Sequence, residues 1–281
     1  MKHQLKTSIL CATAIVGTFF MQSCKKEEIT KPFDKTVKAT TATQSRTMLK
    51  QAVDFNLESQ DIIMHVLSSS SKVMRVSGPI VIDPTCATIT IDSVSMPRRI
   101  EIDFGTGCTD PDGKIRSGKL IGYYNNLGFA NDGDSTRLEY QNFGIDSFVS
   151  NGSFTTKRVS TDGSGNYVGY IESHQNVVNT ISGVSYNGYY RLDAVDNPNS
   201  GDISFTGVRQ ITNNLGESIN QNVTSPLVLN KALGCSENFV EGTLLTQISG
   251  QSDRVIDYGT GRCDDEATET VDGVTTTIYL N

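Results

Sequence analysis

The sequence predicts an all-β protein: an antiparallel meander forming a large curled sheet, a sandwich or an open barrel, preceded by one amphipathic helix. Three observations carry this. Turn signals built from Gly, Asn, Asp and Pro recur at short intervals from residue 93 to the C-terminus, and no helical periodicity intervenes. Between them the runs alternate apolar or aromatic with polar residues, the period of a half-buried strand. One stretch occurs twice: residues 100–109 read IEIDFGTGCT and residues 254–264 read RVIDYGTGRCD.

The N-terminus precedes that fold. Lys2 and Lys6 form a basic region, and residues 7–20 are apolar but short for a membrane span, as in a signal peptide. Met21-Gln22-Ser23-Cys24 then resembles a lipobox, which implies cleavage after residue 23 and lipid on Cys24. Several acyl chains on one cysteine hold a protein stably at a membrane, where a single chain is marginal. Lys25-Lys26-Glu27-Glu28 resembles the charged export signal of Bacteroidota surface lipoproteins. The resemblance implies the outer leaflet of the outer membrane. Residues 24–44 make a lipidated tether, rich in Thr and Lys. Within 45–71, Met48, Ala52, Phe55, Ile62 and Val66 fall on one face at helical spacing, which predicts an amphipathic helix packed on the sheet.

Residues 78–281 read as one β domain, since no Pro/Ser linker divides them. Strands are expected at 79–83 and 87–92, then at 99–104 beyond a turn at 93–97. Cys86 and Cys108 are centred on residue 97, inside that turn; Cys235 and Cys263 are centred on residue 249, in the Ser249-Gly250 turn between 243–248 and 255–258. An antiparallel hairpin would set each pair of sulfurs face to face. Of the three pairings four cysteines allow, the expectation is therefore Cys86–Cys108 and Cys235–Cys263, in an oxidising compartment. The glycines of each Gly-Thr-Gly supply a sharp bend. No helix and no Lys-Ser/Thr follows, so it is not a phosphate loop.

Strands at 114–125, 137–143 and 145–149 come next. Ser150-Asn151-Gly152-Ser153 reads as a hairpin turn into 154–159, and residues 162–166 as another. Then follow 167–178, 179–185, a turn at Asn187-Gly188, 189–195, a break at 197–201, 203–212 and 218–229. Asp272-Gly273 joins 268–271 to 274–280.

Together the lipobox, the helix, the Cys86-Ala87-Thr88-Ile89-Thr90 run and the two cysteine blocks resemble a family of Bacteroidota surface lipoproteins with no established activity. The resemblance implies an address and no chemistry.

The function classes narrow by chemistry. The chain carries 24 basic and 31 acidic residues; without Lys2 and Lys6 the balance falls from −7 to −9, the wrong sign for nucleic acid. His65 and His174 are the histidines beyond the leader and lie far apart in sequence, no nucleophile elbow stands between strand and helix, and the cysteines are better used as disulfides than as zinc ligands. A carboxylate pair for glycoside hydrolysis remains open to chance meeting in space. Asp103, Asp110, Asp112, Asp257 and Asp264 sit in acidic turns that could hold calcium, though their spacing fits no EF-hand and Asp-Gly is ordinary turn chemistry. Asp92-Ser93-Val94 and Asp134-Ser135-Thr136 resemble the O-glycosylation acceptor of the phylum. The expectation is a non-catalytic outer-membrane lipoprotein without cofactor: structural, adhesive or ligand-capturing. Its membrane contact is the lipid on Cys24. A glycan or protein ligand is the alternative, and the strand tyrosines Tyr123, Tyr124, Tyr140, Tyr167, Tyr170, Tyr186, Tyr189 and Tyr190 would be the platform if they share an exposed face.

Overall fold

The computed structural model describes residues 86–111, 113–126, 129–230, 238–264 and 266–280. The leader, the tether, the amphipathic helix, the strand 79–83, Asp112 and Cys235 lie outside the described residues.

The described chain is all-β. Its strands are β1 (Thr88–Asp92), β2 (Arg98–Asp103), β3 (Cys108–Thr109), β4 (Ile115–Tyr124), β5 (Ser135–Ile145), β6 (Phe148–Thr161), β7 (Tyr167–Asn179), β8 (Ser185–Asp196), β9 (Asp202–Asn213), β10 (Ser218–Asn230), β11 (Glu241–Ile248), β12 (Arg254–Thr260), β13 (Glu266–Val271) and β14 (Val274–Tyr279). They make one open antiparallel meander in sequence order, with β1 and β14 as its edges. The two-residue β3 is the exception: it returns onto β4 alone, so β2 and β4 are neighbours.

The meander follows from local chemistry. Short polar turns join consecutive strands, and neighbours in sequence pair most readily in space. Three sites show how the turns close. Asp92 Oδ1 accepts from the Val94 and Ser95 amides, Asp162 Oδ1 accepts from Ser164 and Asn166, and Asn197 Oδ1 accepts from Asn199 and Ser200. These are side-chain mimics of a backbone turn.

The alternation along each strand gives the sheet an apolar and a polar face. On the apolar face Ile100, Ile102, Leu120, Leu138, Phe143 and Phe154 form one core cluster. Leu192, Phe205, Leu227, Leu229, Leu244 and Ile256 form a second. Tyr190 packs against both, and its burial raises the phenol pKa. Aromatic contacts tie the clusters internally, Phe104 to Phe143 at 5.8 Å and Phe239 to Tyr258 at 5.3 Å between centroids.

Two predicted turns are strand interior instead. Asn151-Gly152 lies inside β6; the reversal occurs earlier, where Asp146 adopts φ 52°. Gly152 is needed for a different reason. It sits at an irregularity in the β5–β6 register with φ 135°, and a Cβ there would stand 2.0 Å from the His174 carbonyl oxygen. Asn187-Gly188 likewise lies inside β8, with Asn187 opposite Asn176 and Gly188 opposite Gln175 and Ile211. The segment expected as a strand at 179–185 contains the β7–β8 turn. In each case a dipeptide common in hairpin turns serves a paired strand, and the turn forms elsewhere.

Candidate functional site

The first Gly-Thr-Gly block builds a corner. Asp103 Oδ1 accepts the Gly105 amide at 2.9 Å, and Gly105 (φ 59°) turns the chain off β2. Gly118 then clips the corner to β4: its amide donates to the Gly105 carbonyl and its carbonyl accepts from Phe104. The chain re-enters the sheet as β3, with Cys108 opposite Arg116. Cys108 is bonded to Cys86 with Cα atoms 5.5 Å apart, as expected. The sulfurs are not, however, set across the β1–β2 ladder. That ladder ends at Thr88–Asp103, and the bond is made beyond it, between the approach to β1 and the start of β3. Cys263 is also in a disulfide; Cys235, its expected partner, lies outside the described residues.

The acidic turn residues take separate partners. Asp110 and Arg116 form an ion pair at 2.5 Å with both side chains essentially inaccessible. Asp103 receives Lys119 Nζ at 2.9 Å, and Lys119 also reaches Glu101 at 2.9 Å. That ammonium and then the Gly105 amide hold the Asp103 carboxyl below its ordinary pKa. In the second copy Asp257 Oδ1 accepts the Gly259 amide and Asp264 Oδ1 the Glu266 amide. Among the described residues, the grouping of three donors compact enough for one ion is Cys86, Cys108 and Asp110. Its sulfurs are joined to each other and its carboxylate faces Arg116. Asp103, Asp110, Asp257 and Asp264 thus each fasten a corner through a partner of this chain.

The tyrosines divide between the faces. Register places Tyr124, Tyr140, Tyr167, Tyr186 and Tyr190 on the apolar face, and Tyr123, Tyr170 and Tyr189 on the polar one. Tyr167 covers the Arg158 guanidinium at 3.9 Å, while Arg158 donates to Asp132, the Phe129 and Ala130 carbonyls and Thr161. Arg158 therefore plugs the wall of a small apolar cavity of about 50 Å³ that Phe129 and Phe205 also line.

A larger depression, about 570 Å³, lies over the middle of the polar face between β6 and β9. Cross-strand register builds it. One row runs Asn151, Asn176, Asn187, Thr212; the next runs Ser153, His174, Tyr189, Gln210. Asn176 Nδ2 donates to Asn187 Oδ1 at 2.9 Å, and Asn151 Nδ2 to Asn142 Oδ1 at 3.0 Å. The His174 and Tyr189 rings meet at 4.7 Å, and the His174 side chain is 62% exposed. The rows contain no carboxylate, lysine or arginine, and the His174 imidazole lies 3.9 Å from Glu172 at their border. The bordering row is charged but self-paired: Arg191 reaches Asp193 at 3.0 Å and Glu172 at 3.5 Å.

This asparagine row is what sequence reading missed. Its members are spread over four strands, and only the register brings them into line. The signal was present in part: the Asn-Gly pairs at 151 and 187 were visible, but as turn dipeptides. Comparison of the chain with protein-family models, curated proteins and solved structures gave no match.

Proposed function

We propose that this protein is a lipid-anchored outer-membrane surface protein that works by binding, through the polar face of its sheet, and not by catalysis. The resemblance of Met21–Cys24 and the following charged run to surface lipoproteins supplies the address. The observation that carries the binding role is the depression over β6–β9. It is the size of a small-ligand site, and exposed amide, hydroxyl, imidazole and phenol groups converge on it.

A rigid sheet suits this role. Each lining side chain projects from a strand hydrogen-bonded on both sides, so little is left to order when a ligand arrives.

Intact-mass analysis of the mature protein together with protease treatment of whole cells tests the address. The expected result is an N-terminus at Cys24 carrying acyl mass, and digestion of the protein on unbroken cells. An unmodified Cys24 thiol, or protection until the cells are lysed, contradicts it.

A further inference from the structure

We infer that the depression over β6–β9 takes an uncharged, linear oligosaccharide lying across the strands. This names the ligand class of the binding face proposed above, and it rests on that reading.

Charge excludes most other ligands. In a chain with a net charge of −7, these two rows hold no Asp, Glu, Lys or Arg. An acidic ligand would find no lysine or arginine in the rows, and Glu172 is a carboxylate partner of both His174 and Arg191, with Asp193 also on Arg191. A basic peptide would find no unpaired carboxylate in the rows. What the rows offer is amides, and an amide both donates and accepts through fixed, planar geometry. A sugar hydroxyl also does both. Asn176 and Asn187 use one hydrogen bond to each other, which leaves further donor and acceptor positions on each and fixes their orientation. The Gln210 amide and the Tyr189 ring line the same depression.

The rings supply the second requirement. A pyranose has an apolar C–H face, and an aromatic ring with a polar tip is the side chain that covers it. Tyr189 and His174, tilted at 40° to each other, form such a surface beside the amide row. Spacing supplies the third. Adjacent strands stand about 4.8 Å apart, comparable to one sugar ring. The row Asn151–Asn176–Asn187–Thr212 therefore repeats a polar group at each step across four strands. That favours a chain of several units over a monosaccharide.

The test titrates the full chain in detergent with three probe sets: uncharged soluble polysaccharides (an α-glucan, a β-glucan, a mannan), acidic ones (a polygalacturonate, a sulfated glycosaminoglycan), and a mixed peptide digest. The expected result is saturable binding of at least one uncharged probe, weakened about ten-fold by Tyr189→Ala, and unchanged by Tyr123→Ala on the same face. If Tyr189→Ala does not fold, His174→Ala and Asn187→Ala, at exposed positions, carry the comparison. Binding of an acidic or peptide probe alone, still lost in Tyr189→Ala, overturns the ligand class and leaves the binding face standing. No probe sensitive to these substitutions overturns both.

Discussion

The two copies of Asp-aromatic-Gly-Thr-Gly stand near opposite ends of the sheet, and they are reinforced differently. Their shared part is local. Asp103 and Asp257 each cap the amide two residues on, at 2.9 and 2.8 Å. Phe104 and Tyr258 are each buried in the neighbouring core cluster, and the glycines all take positive φ. The surroundings differ. The first corner is clipped to β4 through Gly118, closed by the Cys86–Cys108 bond, and backed by the buried Arg116–Asp110 pair. The second is joined, among the described residues, to the segment before β11 through the Gly261 amide and the Val240 carbonyl and to β11 through Thr260 opposite Glu241; Cys263, exposed like Asp264, is also disulfide-bonded, and no buried ion pair of described residues backs this corner. A repeated motif can therefore specify a bend without specifying how firmly it is held.

Substitutions at matched positions sharpen this contrast. The largest effect is expected from Arg116→Ala. It removes the Arg116 guanidinium from the Asp110 carboxylate, which is 2% exposed, at a cost of about 3–5 kcal/mol. In the second copy the residue at the position of Asp110 is Asp264; Asp264→Ala acts on an exposed carboxylate and should move stability by less than about 0.5 kcal/mol. Denaturant melts of both variants check it; similar losses would erase the distinction. Next is the double change Cys86→Ser/Cys108→Ser, which opens a loop with sequence separation 22; the expected loss is roughly 3 kcal/mol, seen as a lower denaturation midpoint.

Gly118→Ala follows. A Cβ there would stand 2.0 Å from the Asn142 carbonyl oxygen, at φ 69°. Overpacking and backbone strain together should cost about 2–3 kcal/mol. Gly259→Ala meets nothing nearer than Val240 O at 3.9 Å and carries the strain alone, about 1–2 kcal/mol. The smallest effect is in the acid limb. Because the folded Asp103 carboxyl is depressed, the stability it contributes is complete above the unfolded carboxylate pKa. It is lost as pH falls through the folded value. Lys119→Met removes the first cause of that depression, so the carboxyl should titrate closer to its ordinary range by carboxyl-carbon NMR. An unmoved titration would assign the shift to the Gly105 amide.

What could be read in the sequence was whatever depends on neighbours along the chain. The meander, most turns and the Cys86–Cys108 pairing came from period-two alternation and turn residues. The Asp110–Arg116 lock was not legible, because Arg116 sits on a strand whose facing is changed by the irregularity at Gly118. Nothing in Ser-Gly-Lys reports that shift beyond a glycine in a strand. The amide row was hidden for the same reason: Asn151, Asn176 and Asn187 become neighbours only through the registers of β6, β7 and β8. There the Asn-Gly signal pointed to turns that Asp146 and the residues after Asn179 make instead.

The difference between the two corners is tested most directly by native-state hydrogen exchange, comparing the paired amides of β2 and β4 with those of β12 and β13. Slower exchange in β2 and β4, with that advantage abolished by Arg116→Ala, is the expected result. Equal protection at both ends, or an advantage at β2 and β4 that survives Arg116→Ala, would contradict the reinforcement described for the first corner.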